Sequence, residues 1–379
     1  MSELEYTEQG FRMTTDTKRH HRTTNWDYSG VGIYHITLVV AERYPLFGEL
    51  FGDSPESAYV KLNAFGKEVL EILRSVPQYR RQRGYQLKIL ASQIMPDHIH
   101  VAIQVLEPLP KSIGAVIRGF KSACTSLYKN NYAATGGNHA AKGENADRDI
   151  IPFSRMFARI GSIWQPDIAR YHERIIHGHN QIDSLIHYIK DNPRRLWLKR
   201  ANPDLFRIHQ QTPIAGVTCT TLGNMFLYEY PQRAALHCSR TLTQAEIDTL
   251  REECLSQAAN GTVYVSPAIS VGEKQVSRAL REAGFPIIIL LNDGFPATES
   301  PHYQYYKPKG VYFEACAEGN LLLVEPNPEL FELPDIETQV YAKTGSIPHN
   351  SKRYRFVALN ALAEKIASHP HISTPNGRG

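Results

Sequence analysis

No stretch of the 379-residue sequence approaches the roughly 20 consecutive apolar residues that a bilayer-spanning helix needs. The start, MSELEYTEQGFRMTTDTKRHHR, is too polar for a secretory signal. These two absences lead us to expect a cytoplasmic protein with no membrane partner. Cysteine is scarce as well. Cys124, Cys219, Cys238, Cys254 and Cys316 show no CxxC spacing, which argues against a zinc knuckle or a disulfide framework and for reduced, structural thiols. The sequence contains no GxxxxGK[ST] loop, no GxGxxG and no internal repeat. It therefore lacks the usual phosphate cradle of an ATP-driven enzyme and the usual dinucleotide fingerprint.

A hydrophobic content of 42% is enough for a proper core, and the length suggests two domains. Charge separates the two halves. Residues 1–210 hold 28 Lys and Arg against 21 Asp and Glu, whereas residues 211–379 hold 14 against 17. The basic half is the one expected to meet polyanions.

That half reads as a small alternating domain. Tyr34 to Ala41 (YHITLVVA) is a β-rich run, and Ser57 to Leu73 has helical spacing that ends near Ser75-Val76-Pro77. Tyr85 to Ile94 and Ile99 to Leu106 form two strands joined by the turn Met95-Pro96-Asp97, a hairpin pattern. Ser112 to Tyr128 is an amphipathic helix that carries Arg118 and Lys121 on its polar side and so suits backbone tracking. Asn131 to Asp149, rich in Gly, Ala and Asn, reads as an insertion without periodicity. A strand is expected around Ile163-Trp164-Gln165 and a helix from about Asn180 to Asp191, stopped or kinked at Asn192-Pro193.

The second half begins after a transition at Leu205 to Ala215. Gly261 to Ser266, Gly272 to Gly284 and Phe285 to Leu291 give strand, helix and strand, a βαβ unit. Gly319 to Val324 adds a strand and Tyr354 to Ala367 a closing helix. The expectation is a Rossmann-like parallel sheet with helices on both faces.

Candidate chemistry centres on His98-Ile99-His100. In a strand the two imidazoles project to one side while Ile99 enters the core, an arrangement that suits a divalent ion such as Mg²⁺ or Mn²⁺ with positions open for phosphate oxygens. Two ordinary surface histidines are the plain alternative. His35, His177, His179 and His187 are other candidate ligands, none of which has that alternate-residue pairing in a strand. Tyr188 lies on the helix QIDSLIHYIKDNPRR beside a stripe of Ile182, Leu185, Ile186 and Ile189, and Asn192 falls one turn further on the same face. A packed aromatic ring is the competing account of Tyr188. Arg194, Arg195, Lys199 and Arg200 follow, placed for phosphate contact or for simple dipole compensation. Trp164, Tyr171, His172 and Arg174 could stack on or grip unpaired bases, with core packing the simpler account of Trp164.

Taken in order, YHITLVV, IMPDHIHVAI, WQPDIARYHERII and HYIKDNPRRLW resemble the REP-associated tyrosine transposases, within the single-tyrosine HUH transposases, over about residues 30–200. The resemblance implies a ferredoxin-like α+β domain over residues 30–205, His98 and His100 as metal ligands, Asn192 as a third, amide-bearing ligand, and Tyr188 as nucleophile. It further implies single-stranded or hairpin DNA as the partner and a 5′-phosphotyrosine intermediate; a homodimer stays open. The competing function is a domesticated DNA-binding regulator that keeps the fold without catalysis. Residues 216–370 resemble the Rossmann-like fold of DNA-processing and lysine-decarboxylase-like nucleotide-binding proteins. There the Ser266-Pro267-Ala268-Ile269-Ser270 turn before Gly272 either binds an anion through its amides or merely joins strand to helix.

Overall fold

The computed structural model describes residues 6–7, 10–11, 27–133, 153–165, 172–176, 180–292, 295, 308, 311–327, 338, 341–343 and 352–368. Most of the expected insertion, together with Tyr171, His177 and His179, lies outside the described residues. The chain is mixed α/β and divides into two compact units, residues 1–198 and 199–379.

In the first unit, β1 (Gly32–Val39), β4 (Leu87–Ile94), β5 (His98–Val105) and β6 (His172–Ile176) form an antiparallel sheet in the order β4-β5-β1-β6. A separate ribbon pairs β2 (Gly48–Phe51) with β3 (Tyr59–Leu62). The helices are α1 (Ala64–Arg81), α2 (Ile113–Asn131), α3 (Phe153–Ile160), α4 (Asn180–Lys190) and α5 (Asn192–Ala201). Strand alternation sends Tyr34, Ile36 and Leu38 of β1, with Ile99, Val101 and Ile103 of β5, to one face of the sheet. There they join Val69 and Leu73 of α1 and Val116, Ile117 and Phe120 of α2 in the main core. The other face is thinner. Ala91, Ala102 and Ile176 meet Leu185 and Ile189 of α4, and the two alanines let that helix approach closely.

Two local expectations give way to different structure. The helix expected from Ser57 starts at Ala64, because Tyr59–Leu62 is committed to pairing with β2 and Asn63 caps the helix by accepting from the Gly66 amide at 2.8 Å. It then runs through Pro77, whose missing amide leaves a gap in the ladder, and ends about one turn later. No strand forms around Ile163-Trp164-Gln165. Ile163 and Trp164 are neighbours that are both buried in the same core, which strand alternation would forbid, and the segment makes only a single bridge from Trp164 to Val40. Trp164 is a packing residue: its ring lies between Phe47 and Phe120, and its Nε1 donates to the Lys121 carbonyl at 3.0 Å.

The second unit is built on β7 (His209–Ile214), β8 (Val217–Gly223), β9 (Arg233–Ala235), β10 (Val263–Ser266), β11 (Ile287–Leu290) and β12 (Leu321–Pro326), in the order β9-β10-β11-β12-β8-β7. The first four of these neighbours are parallel; β8 runs antiparallel to β12, and β7 antiparallel to β8. Among the described residues each parallel step passes through one helix: α6 (Gln244–Ala259), α7 (Val271–Glu282) or α8 (Val311–Ala317). All three steps run the same way along the sheet, so right-handed crossovers put these helices on one face. The opposite face, with Val263, Val265, Ile288, Leu290, Leu322 and Val324, is covered by α9 (Lys352–Ser368) through Ala358, Leu359, Leu362 and Ile366. The βαβ unit and the closing helix agree with expectation, and the antiparallel β7-β8 pair adds to it. All five cysteines are buried, and none forms a disulfide. Among the described residues no helix is long and apolar enough to cross a membrane.

Gly66 is the tightest position of the first unit, since an added Cβ would fall 2.1 Å from the Phe47 carbonyl oxygen. Gly66→Ala is expected to destabilise that unit by about 2 kcal/mol, within the usual overpacking range. In thermal unfolding this lowers the midpoint by on the order of 4–8 °C. An unchanged midpoint would refute the close approach.

Candidate active site

The antiparallel register assembles a row of polar positions across the first sheet, in which the His172 side chain lies outside the described residues. Gln93 of β4, His100 of β5, Thr37 of β1 and His172 of β6 lie opposite one another in one rung across the four strands. The next rung holds Ala91, Ala102, His35 and Arg174. His98 is placed by the same alternation one pleat along β5 from His100, while Ile99 between them is fully buried in the core as expected.

The imidazoles are held by a chain of contacts. His98 Nε2 lies 3.2 Å from His100 Nε2. His98 Nδ1 lies 2.5 Å from Asp97 Oδ1, and Arg43 Nη1 donates to Asp97 Oδ2 at 3.0 Å. His100 Nδ1 faces the Thr37 hydroxyl at 3.0 Å and His35 Nε2 at 3.2 Å. Burial works to raise the Asp97 carboxyl, but the adjacent His98 and Arg43 outweigh it and hold the group well below the usual carboxylate range. An ionised carboxylate can only accept, so His98 carries its proton on Nδ1 and, when neutral, keeps the Nε2 lone pair free. If His100 gives its Nδ1 proton to Thr37, two lone pairs face each other at 3.2 Å. They repel unless a proton or a cation lies between them. The donor set therefore fits a divalent ion bound through the two Nε2 atoms, with Asp97 and Thr37 orienting the rings behind it. Among the described residues no group of three or more His, Cys, Asp and Glu side chains is arranged to hold an ion.

Tyr188 comes to the same place from α4. Its ring centroid lies 5.6 Å from that of His100 and 5.8 Å from that of His35, with both pairs edge-on. The Arg195 guanidinium lies 5.5 Å from the Tyr188 centroid on another side. Burial raises the phenol above its ordinary value, and the Arg195 charge offsets part of that rise. Asn192 is buried at the start of α5, and its Nδ2 donates to the carbonyls of Tyr188 at 2.7 Å and Ile189 at 3.2 Å. That amide thus ties off the end of α4, and its Oδ1 remains the atom with which it could act as a ligand.

The basic residues named from sequence divide into groups. Arg195 is buried beside Tyr188. Arg194 is bound to Asp191 at 2.6 Å, Lys199 lies over the Phe313 ring, and Arg200 is exposed. Arg174 sits opposite His35 in the register, with its side chain outside the described residues. Arg118 and Lys121 belong to α2, which packs on the other face of the sheet. Sequence reasoning named His35 only as an alternative ligand and missed Thr37, Gln93, Asp97 and Arg43. The period of two in YHITL was the available signal for His35 and Thr37.

In the second unit the turn before α7 is already filled. The buried Glu273 carboxylate accepts from the amides of Ile269 at 2.7 Å and Ser270 at 3.1 Å, Ser270 Oγ accepts from the Glu273 amide, and Ser266 Oγ accepts from the Ala268 amide. This capping box satisfies the donors that an anion would need, which favours the simple joining role of that turn.

No protein-family model matches the sequence, and no curated protein is similar enough to be reported. Among solved structures, the chain shows a distant likeness to a REP-associated tyrosine transposase bound to a REP hairpin, at 14% identity and a TM-score of 0.25, covering 45% of this chain and 72% of that one. It shows a similar likeness to a candidate transposase of Deinococcus radiodurans, at 15% identity and a TM-score of 0.24, covering 45% of this chain and 97% of the other.

The Asp97 charge makes a pH-dependent prediction. A carboxyl whose pKa is depressed by folding contributes stability that is full above its unfolded value of about 3.9 and is lost as pH falls towards the folded value. At pH 7, Asp97→Asn should be about 1–3 kcal/mol less stable than wild type in urea unfolding. The difference should shrink steadily below about pH 4. A gap that stays constant from pH 7 to pH 3 would contradict an ionised Asp97 held between His98 and Arg43.

Proposed function

We propose that the protein is a metal-dependent single-stranded DNA endonuclease and strand transferase, with Tyr188 as nucleophile and a ferredoxin-like first unit as its scaffold. The observation that carries this reading is the meeting of the Tyr188 ring with that of His100, whose Nε2 lies 3.2 Å from His98 Nε2, on one face of one sheet. The sheet order β4-β5-β1-β6, with two helices on the opposite face, supports the scaffold assignment.

The Tyr188 hydroxyl is protonated at neutral pH, and burial strengthens that state. Its proton must therefore leave during the attack and not before it. The tyrosine oxygen forms a bond to phosphorus as the bond to the 3′ oxygen breaks, and the released 3′ oxygen takes up a proton. A 5′-phosphotyrosine and a free 3′-hydroxyl result. Attack by a second 3′-hydroxyl reverses these changes, so new DNA is joined without ATP, in keeping with the absence of a GxxxxGK[ST] loop. A bound Mg²⁺ or Mn²⁺, held by His98 and His100 with Asn192 within one helical turn of Tyr188, would supply polarisation of a non-bridging phosphate oxygen. Arg195 adds a fixed positive charge beside the nucleophile, which favours the approach of a phosphodiester.

His98→Ala or His100→Ala is expected to abolish cleavage of a labelled hairpin-bearing single strand in Mn²⁺ while leaving most DNA binding, since Lys and Arg supply the affinity. Equal cleavage by wild type and variants would remove the ligand assignment.

With Tyr188 as nucleophile, label placed 3′ of the cut should travel with the protein through denaturing electrophoresis, and label placed 5′ should not. Tyr188→Phe deletes one hydroxyl, so it should lose the adduct with at most about 1 kcal/mol of stability. A covalent adduct that survives this substitution assigns the nucleophile to another tyrosine.

A further inference from the structure

The chain leaves β1 through a backbone that its residue types do not favour. Glu42 is left-handed, with φ 52° and ψ 21°, and Arg43 follows at φ 52°. They are the only adjacent pair of non-glycine residues with positive φ among those described. A Cβ makes this region costly, and glycine at either position would remove the cost. The turn persists because hydrogen bonds fix it on both sides. The Val40 amide donates to the Asp97 carbonyl at 2.9 Å, and the Ala41 amide donates to the Ile163 carbonyl at 3.0 Å. Gln165 closes the turn from a distant segment. Its own amide donates to the Val39 carbonyl at 2.9 Å, and its Oε1 accepts from the Glu42 amide at 2.9 Å.

Backbone strain of this kind gathers where a side chain has to be aimed. Arg43 directs Nη1 to Asp97 Oδ2 at 3.0 Å, and the other oxygen of that carboxylate meets His98 Nδ1 at 2.5 Å. A partly exposed ion pair adds little to stability, so the pair does not by itself account for a turn that costs free energy to hold. The turn supplies direction instead. A carboxylate gripped at one oxygen is hindered from swinging, and its other oxygen then sets the rotation of the His98 ring, whose Nε2 lies 3.2 Å from His100 Nε2. Groups that orient a ligating imidazole from behind set its affinity for an ion without touching the ion.

We infer that Arg43 is a positioning residue for the metal site, acting on His98 through Asp97, and that Gln165 holds Arg43 in place by closing the left-handed turn. The inference rests on the reading of His98 and His100 as metal ligands and not on Tyr188 as nucleophile.

The test is calorimetric titration of the full chain with Mn²⁺ alone, which reads the site without DNA or cleavage. Arg43→Ala should raise the Mn²⁺ dissociation constant by about 10–100-fold, and Arg43→Lys, which restores a cation, should recover much of that loss. Gln165→Ala should weaken binding in the same direction. If Gln165 acts through Arg43, the double alanine variant should bind within about twofold of Arg43→Ala alone. Glu42→Gly takes the left-handed backbone freely and should bind like wild type. Binding by Arg43→Ala within twofold of wild type, while His98→Ala loses the ion, overturns the inference. So do fully additive losses in the double variant, which would make Gln165 independent of Arg43. A weakened Arg43→Ala that also melts early and is not rescued by Arg43→Lys would make the ion pair structural, which overturns it too. Binding by His98→Ala equal to wild type would instead defeat the metal-ligand reading itself, and this inference with it.

Discussion

In the antiparallel pairing of β1 with β5, Thr37 stands directly opposite His100 and Val39 opposite His98. Side chains alternate with a period of two, so a slip of one residue would drive the imidazoles into the main core and turn Ile36, Leu38 and Ile99 outward. The apolar set on one face therefore secures the polar set on the other. Tyr34, Ile36, Leu38, Ile99, Val101 and Ile103 are nearly inaccessible, and each would be exposed in a shifted register. The candidate site depends on hydrophobic burial that none of its own residues supplies.

A second constraint comes from the helix that covers the polar face. Ala91 and Ala102 sit side by side under α4, where larger residues would lift the helix and draw Tyr188 away from His100. Leu185 and Ile189 anchor α4 on either side of the turn that carries Tyr188. The nucleophile candidate is thus positioned by packing on one flank and by Arg195 on another, while the His35 and His100 rings stand nearly perpendicular to its own. In the second unit the opposite economy holds: the potential anion site before α7 is closed by its own Glu273.

Features with a short repeat were legible in the sequence. The projection of His98 and His100 to one side, with Ile99 in the core, followed from strand alternation, and the β4-β5 hairpin from Met95-Pro96-Asp97. The stripe on α4 and the βαβ unit of the second half followed from periodicity. Contacts between distant segments were not legible. Arg43 reaches Asp97 across 54 positions, and nothing local in AERYP marks it. The start of α1 was misjudged because the apolar spacing of Ser57–Leu73 fits a helix, whereas pairing with a distant strand takes Tyr59–Leu62 first. Trp164 sits in a β-prone stretch, yet the core claims it and its neighbour together. The likeness of the four motifs to a transposase family is what suggested a role for Tyr188, which periodicity alone would have left as a packed ring.

Asn192 gives the bend between α4 and α5 a mechanical meaning. Its amide nitrogen grips the carbonyl of Tyr188 itself, while its backbone belongs to the following helix. The carbonyl that α4 would otherwise leave open at its end is thus closed from α5, so the two helices are joined at the residue that carries the phenol ring.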